Sequence, residues 1–599
     1  MIGISVVANR FDAGFLTCLI SAVALGVASG QTPPRKPLRT EPLEKYDMPP
    51  AYIYRLEPGP RMISQYGSFT SFQVNVDVNG QNILGDAANE PSIAVDPTNG
   101  NKMAIGWRQF NTVNSNFRQG GWGYTTDGGT TWTFPGVLEN NVFRSDPVLN
   151  SDETGTVFYL SLLQSFCDNI WRSTNGGQSW TELQGDGAAG GGDKEWFTID
   201  KTSGMGHGFQ YQAWSTAAAC DFGQFSRSTD GGISWESPLS IPNSVVWGTL
   251  DVDTNGNLFV AGAADSTSPF YCLRSSNAQN PNVTPTFDRV TQVNLGGSLD
   301  SGEPINPEGL VGQVFLAVDR SGTSTNNNVY MLASVQPIGF TTGSDVMFVR
   351  STDGGQTFST PRRINDDPVN QAKWHWFGTL SVAPNGRIDA VWLDTRNAAN
   401  NTDSQLFYSY SFDGGNTWSL NVAISNSFNP FEGYPQQNKI GDYITIVSDN
   451  TGGNVAYAAT FNFNPNTGQH EEDVYYVRVS AHPTFFNGEI ALGGGFYYLQ
   501  FANGTPFGYY SYLPDQNFIY HIDLGFEYLL DANDANHGIY FYDFASSSFF
   551  YTSPTLFPDL YDFGLNAWLY YLPDANNPGR YTHNPRWFYN FTTGQWITL

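Results

Sequence analysis

One phrase constrains this chain more than any other. Ser/Thr-x-Asp-Gly-Gly-x-Ser/Thr-Trp occurs at Thr125–Trp132 (TTDGGTTW), Ser173–Trp180 (STNGGQSW), Ser228–Trp235 (STDGGISW), Ser351–Phe358 (STDGGQTF) and Ser411–Trp418 (SFDGGNTW). Neighbouring copies lie roughly 50 to 60 residues apart, with one gap about twice that, which is the period of a propeller blade. An acid beside two glycines reads equally as a catalytic motif or as a turn. The turn accounts for it better: Asp accepts backbone N–H bonds while the glycines supply positive φ. The copy with Asn175 keeps the acceptor and loses the charge, which a turn tolerates and an acid catalyst does not. Five copies spread around a ring also cannot converge on one substrate.

Alternating strands precede each box. Pro91–Val95, Lys102–Trp107 and Gly121–Thr125 open the series. Sets of the same order follow through Asp146–Ser173, Asp193–Ser228, Val246–Ser275, Val314–Ser351, Phe377–Ser411 and Tyr443–Val479. The fourth set has a degenerate box, Ser275-Ser276-Asn277, with an insertion before Thr286-Phe287. The seventh has no box and lacks an outer strand. Phe72–Val78 (FQVNVDV) alternates and is expected to supply it, closing the ring and removing its open edges. The expected fold is all-β: a seven-bladed β-propeller over residues 69–485, six blades being the alternative, plus a small aromatic-rich β module at 493–599.

The repeated boxes resemble the Asp-box (BNR) repeats of the sialidase superfamily, over about Asn89 to Ser480. The resemblance implies a propeller acting on extracellular glycans, as an exo-sialidase-like glycosidase or as a non-catalytic glycan- or protein-binding propeller of the cell surface. Sialidases set three arginines on a substrate carboxylate, with an Asp acid/base and a Tyr nucleophile paired with Glu. No Arg-Ile-Pro motif, the usual source of the first arginine, precedes the first box here.

Box turns mark one face of a ring, so a ligand is expected at the opposite mouth, among inner-strand entries and the loops after second strands. Tyr443, Asp442, Asp394, Glu90 and His375 are the catalytic candidates there. Paired carboxylates do acid and base work around a sugar, and Tyr443 is the one nominated nucleophile. Arg108, Arg144 and Arg396 are candidates for bidentate binding of a substrate carboxylate, and Trp196 and Trp376 for stacking. Blades six, seven and one are neighbours, so His375, Asp394, Arg396, Asp442, Tyr443, Glu90 and Arg108 are expected to converge.

Other features set the context. Residues 1–30 read as a secretory signal: Arg10, the apolar run Phe15–Val27, and Ala28-Ser29-Gly30 before Gln31. Residues 31–68 read as a Pro-rich extended leader. No later stretch is a candidate membrane span. Cys167 and Cys220 each precede a box by a similar distance in adjacent blades and are expected to pair, leaving Cys272. The net charge of −27 excludes nucleic acid as a partner. No cofactor is required, and the acidity is compatible with a structural calcium ion. After Asn487 the composition changes: roughly 30 aromatics fall within about 110 residues, with no lysine. Rings at that density stack on sugars, so the module is expected to bind glycans or attach the protein to a cell envelope. The protein is accordingly expected to be secreted or envelope-associated.

Overall fold

The computed structural model describes residues 58–599 except 184–188, 217, 265–266, 481–483, 487, 494–495, 514–517, 533 and 535. Residues 1–30, read above as a secretory signal, and most of the expected leader lie outside the described residues. Everything below concerns the unit within Glu41–Leu599.

Seven sheets form the ring. Blade one is Ala87–Val95, Met103–Phe110, Gln119–Thr125 and Thr133–Val137, paired antiparallel in chain order. Blades two, four and six repeat this order from Ser145, Leu250 and His375. Blade three has three strands, its outer strand reduced to the bridge Phe225–Leu239. Blade five adds Gly297–Ser298 beside its second strand, Val329–Pro337. Second strands are buried along all or nearly all of their length, as in Val157–Leu162 (VFYLSL) and Leu258–Ala263 (LFVAGA). Such continuous apolar runs suit a strand covered by neighbouring blades on both faces.

Blade seven is completed by the N-terminal segment. Phe69–Gln73 pairs with Asp473–Val479 in the register Ser71↔Val477, and Ile63–Tyr66 adds a fifth strand outside it. Closure by the opposite terminus is as expected, but the strand lies a few residues earlier than Phe72–Val78. The leader ends earlier too: Ile63–Tyr66, assigned to it from its composition, is part of the ring.

Hydrogen bonding explains the boxes. In each, the first Ser or Thr hydroxyl donates to the Asp or Asn side chain at 2.7–2.9 Å. The second glycine's N–H donates back to that hydroxyl at 2.8–3.2 Å. The acid also accepts the N–H four residues on, at 2.8–3.1 Å. Asn175 keeps the pattern by donating its amide to Ser179 at 2.9 Å. The degenerate box keeps it as well: Ser275 donates to Asn277, and Thr286, beyond the insertion, supplies the distant N–H at 2.9 Å. Gly415 shows why the second glycine is required. Its φ is 81°, and a Cβ there would lie 2.3 Å from Phe348 of the preceding blade. Asp353→Ala should therefore cost about 1 kcal/mol, as loss of a helix cap does, and Asp353→Asn less than half of that. Denaturant midpoints of the two variants check this.

A second turn repeat escaped the sequence reading. Asp96, Asp152, Asp200, Asp253, Asp319 and Asp449 each accept the N–H two residues on, at 2.8–2.9 Å, between first and second strands.

Residues 490–598 form one antiparallel meander of eleven strands, each paired with the next in sequence. Burial alternates along its central strands: in Ile539–Asp543, Ile539, Phe541 and Asp543 are buried and Tyr540 is exposed. The buried face joins Leu529, Phe541, Phe550, Leu560, Leu569 and Phe588 with Phe485 and Phe486 into one apolar core.

Candidate functional site

Inner strands begin with an unusual backbone. Glu90, Asp146 and Lys194 hold φ of 52°, 45° and 60°, and Trp247, Phe377 and Gly441 occupy the same entry in blades four, six and seven at 55°, 55° and 99°. In blades one, two and six the pairing skips at this point, between Asn89 and Ser92, Ser145 and Val148, and Trp376 and Thr379. Non-glycine residues in this region are strained and concentrate where geometry is demanded. Here three of them, from three successive blades, are charged and join one network.

Lys439 is the pivot. Its ammonium lies 3.2 Å from Glu90 and 2.8 Å from Asp442. Lys194 continues the chain at 3.1 Å from Asp442, 3.0 Å from Asp193 and 3.5 Å from Asp146. Arg108 pairs with Glu90 at 3.0 Å. All are buried. Burial pushes the Glu90 carboxyl up to about 7 against the pull of Arg108 and Lys439. Burial would raise Asp442 as well, but Lys439, Lys194 and Arg108 hold it far below the carboxylate range. Segment 299–311 of blade five is bolted to this entry. Leu310 N–H donates to Asp442 at 2.8 Å, and Asn306 donates to Leu310 O and Gly441 O at 2.7 and 2.8 Å.

The seven residues expected to converge divide into two groups. Glu90, Arg108 and Asp442 belong to the network just described, and Tyr443 lies beside it, in the field of Glu90 and Asp146. His375, Asp394 and Arg396 form a second cluster, between blades five and six. His375 Nε2 lies 3.1 Å from Asp367 and 3.7 Å from Asp394, and Nδ1 lies 3.5 Å from Asp345. Arg396 donates to Asp394 at 2.8 Å and to Asp366 at 2.6 Å, and stacks 4.4 Å from the Phe407 ring.

Nor do the three arginines form a trio. Arg108 is held by Glu90, Arg396 by Asp394 and Asp366, and Arg144 by Glu139 and Asn169 over the Trp171 ring. Tyr443 is not set up as a nucleophile. Its hydroxyl donates to Pro147 O at 2.8 Å, and burial, with Glu90, Asp146 and Glu195 nearby, pushes it well above the phenol range. Trp196 and Trp376 are not open platforms. Trp196 is wedged against Tyr443 and Phe315 with its N–H on Gln313 at 2.6 Å. Trp376 is core, its N–H 3.2 Å from Ser404.

The sequence did not single out Asp146 or Lys194, nor Lys439, which lies in a loop with no repeat to mark it. Cys167 and Cys220 form a disulfide, as expected, and Cys272 is buried, its thiol pushed up to about 12 by burial. Among the described residues no three His, Cys, Asp or Glu side chains gather as a metal site, and no helix is long and apolar enough to cross a membrane.

His375 carries a pH signature. Burial lowers its pKa, but Asp367 and Asp394 outweigh that and the net shift is upward. A raised histidine stabilises fully below its unfolded value near 6.5, and the contribution is lost as pH rises through the folded value. The stability difference between wild type and His375→Gln should therefore be largest at pH 5.5–6 and shrink by pH 8–9, read from urea unfolding at each pH.

The open surface is in the meander. Tyr542-Asp-Phe544, Tyr561-Asp-Phe563 and Tyr589-Asn-Phe591 begin three hairpin loops that end at Phe549, Trp568 and Trp596. In each loop the central Asp or Asn accepts backbone N–H bonds, and Ser547, Asn566 or Gly594 takes a left-handed φ of 57°, 51° or 68°. Each loop thereby presents the same three rings. Tyr–Phe centroids are 5.1, 5.0 and 5.4 Å apart, and Tyr to the far ring 5.1, 5.4 and 5.4 Å. The Phe rings are 50–54% exposed, so the triads face outward rather than into the core.

No family model matches the chain, and no curated protein does. Among solved structures, similar chain paths occur in a Dyadobacter fermentans protein of unknown function (14% identity, 68% of this chain and 98% of that one, TM-score 0.38). They also occur in YCF48 bound to D1 peptide (12%, 71% and 98%, 0.37) and in the phage phi92 endosialidase (10%, 73% and 74%, 0.38). At these identities and scores they carry no assignment of activity.

Proposed function

We propose that the chain is an exported glycan-binding propeller protein whose binding face is the outer side of the aromatic meander. The observation that carries this is the threefold ring triad. A ring triad built once is a surface accident; built three times, on successive hairpins with the same turn chemistry, it suits a ligand that itself repeats. Successive hairpins are two strands apart, about 10 Å, close to the length of a disaccharide in an extended polysaccharide. Tyr and Trp offer flat apolar faces with polar edges, which match the C–H faces and hydroxyls of sugars. Nine acids against two arginines from Gly493 onward disfavour anionic polymers and acidic lipid surfaces, leaving neutral glycans. The same face supports envelope attachment through glycan.

Binding of the full chain to an array of neutral oligosaccharides tests this. Trp568→Ala and Trp596→Ala should each weaken it about tenfold, each losing one stacked ring. Equal binding by wild type and the double variant would sink the proposal.

A hydrolytic reading is favoured by one observation, the opposed shifts of Glu90 and Asp442, which is how acid and base roles are separated. It ranks second because both carboxyls are buried and already paired. Turnover of a fluorogenic glycoside, sialosides included, that disappears in Glu90→Gln would put it first.

A further inference from the structure

Blades two and three meet at carboxylates that the network does not neutralise. Asp168 and Glu195 are 0% and 1% exposed, and no side chain donates a hydrogen bond to either carboxylate; only backbone N–H groups face them, Gly192's for Asp168 and its own for Glu195. Gln212 is equally buried. Its amide N–H donates to Ala189 O, and its Oε1 is left without a donor. Asp168 and Gln212 meet around one loop, and Glu195 lies in the field of Asp168. Ala189 N–H donates to Asp168 O at 3.1 Å, and the next glycines wrap the Asp168 carboxylate so tightly that a Cβ on Gly191 would lie 1.9 Å from Oδ2. The Cys167–Cys220 disulfide fixes the residue just before Asp168, and Cys220 N–H donates to Gly191 O at 3.0 Å.

The cations in this part of the ring have other obligations. Arg144 serves Glu139 and Asn169, and Lys194 serves Asp146, Asp193 and Asp442. Burying a carboxylate unpaired is far costlier than burying it against a positive charge. Burial and the fields of Asp146 and Asp193 push Asp168 well above the carboxylate range in spite of Arg144, and burial with Asp168 and Asp146 does the same to Glu195. Every unpaired acceptor here is oxygen, the ligand set of a hard divalent ion, and two carboxylates with one amide carbonyl leave room for water in a six- to eight-oxygen shell.

We propose that Asp168, Glu195 and the Gln212 side-chain carbonyl hold one divalent cation of the calcium type, which locks the loops of blades two and three at the mouth of the ring. This does not depend on what the aromatic face binds.

Calorimetric titration of the chelator-treated full chain with calcium chloride tests it. One site per chain is expected, with the thermal midpoint rising about 2 °C at a hundredfold excess over Kd. Asp168→Asn with Glu195→Gln should abolish both effects and still fold, because the substitutions remove like charges from the core. Asp353→Asn, in a distant exposed turn, should retain both. Absence of binding heat for calcium and magnesium at millimolar concentration would overturn the proposal, as would unchanged binding in the double variant. So would a metal-independent stability that falls as pH rises in wild type but not in the double variant, since the carboxyls would then be neutralised by protons.

Discussion

Lys194→Met should destabilise the propeller by about 3–5 kcal/mol, the cost of stranding buried charge. Lys194 touches Asp146, Asp193 and Asp442 from a position that is itself buried, so no water replaces the lost ammonium. Methionine fills the volume but removes the one cation in contact with all three carboxylates, leaving Lys439, on Asp442, with Arg118 and Arg108 to offset them. Glu90→Gln is the informative contrast. Glu90 is held near 7, so at pH 6 it is already largely neutral and glutamine replaces it with little loss, under about 1 kcal/mol. Denaturant midpoints of the two variants at pH 6 should differ severalfold in displacement from wild type. A structural hub behaves this way, and a pre-formed catalytic centre, tolerant of losing its charged groups, does not.

Replacing Cys167 and Cys220 together by serine should cost about 2–4 kcal/mol. The bond closes 53 residues of sequence separation and ties the second-to-third-strand loop of blade two to that of blade three. Blade three has only three strands and a short inner strand, Trp196–Ile199, so it has the least sheet of its own to resist opening. The loss should appear as protease cleavage within 163–220 before global unfolding, mapped by limited proteolysis of oxidised, reduced and double-serine protein.

Much of this architecture is written locally. A box turn is settled by eight consecutive residues, so even the degenerate copy at Ser275 could be placed, and the ring count followed from the strand sets between boxes. Closure was legible because Phe72–Val78 alternates, but its register was not. Burial of Ser71 and Gln73 where they pair with Val477 and Tyr475 selects the earlier Phe69–Gln73, and nothing in the segment alone says which alternation wins. The site was less legible. Glu90, Arg108, Asp442 and Tyr443 do meet, because ring neighbours face one axis. His375, Asp394 and Arg396 lie off it, because Asp345, Asp366 and Asp367 of blade five draw them sideways. Lys439 carries no pattern. In the tail, sheer abundance of rings hid the spacing Tyr-x-Phe-x-x-x-x-Phe/Trp, which becomes visible only once the hairpins are known.

The most direct measurement incubates the full chain with a soluble neutral polysaccharide and follows both partners by size-exclusion chromatography with light scattering. Co-elution of protein with polymer of unchanged length, lost in Trp568→Ala/Trp596→Ala, is the predicted result. Protein eluting free of the polymer, or polymer shortened by wild type and not by Glu90→Gln, would contradict the account.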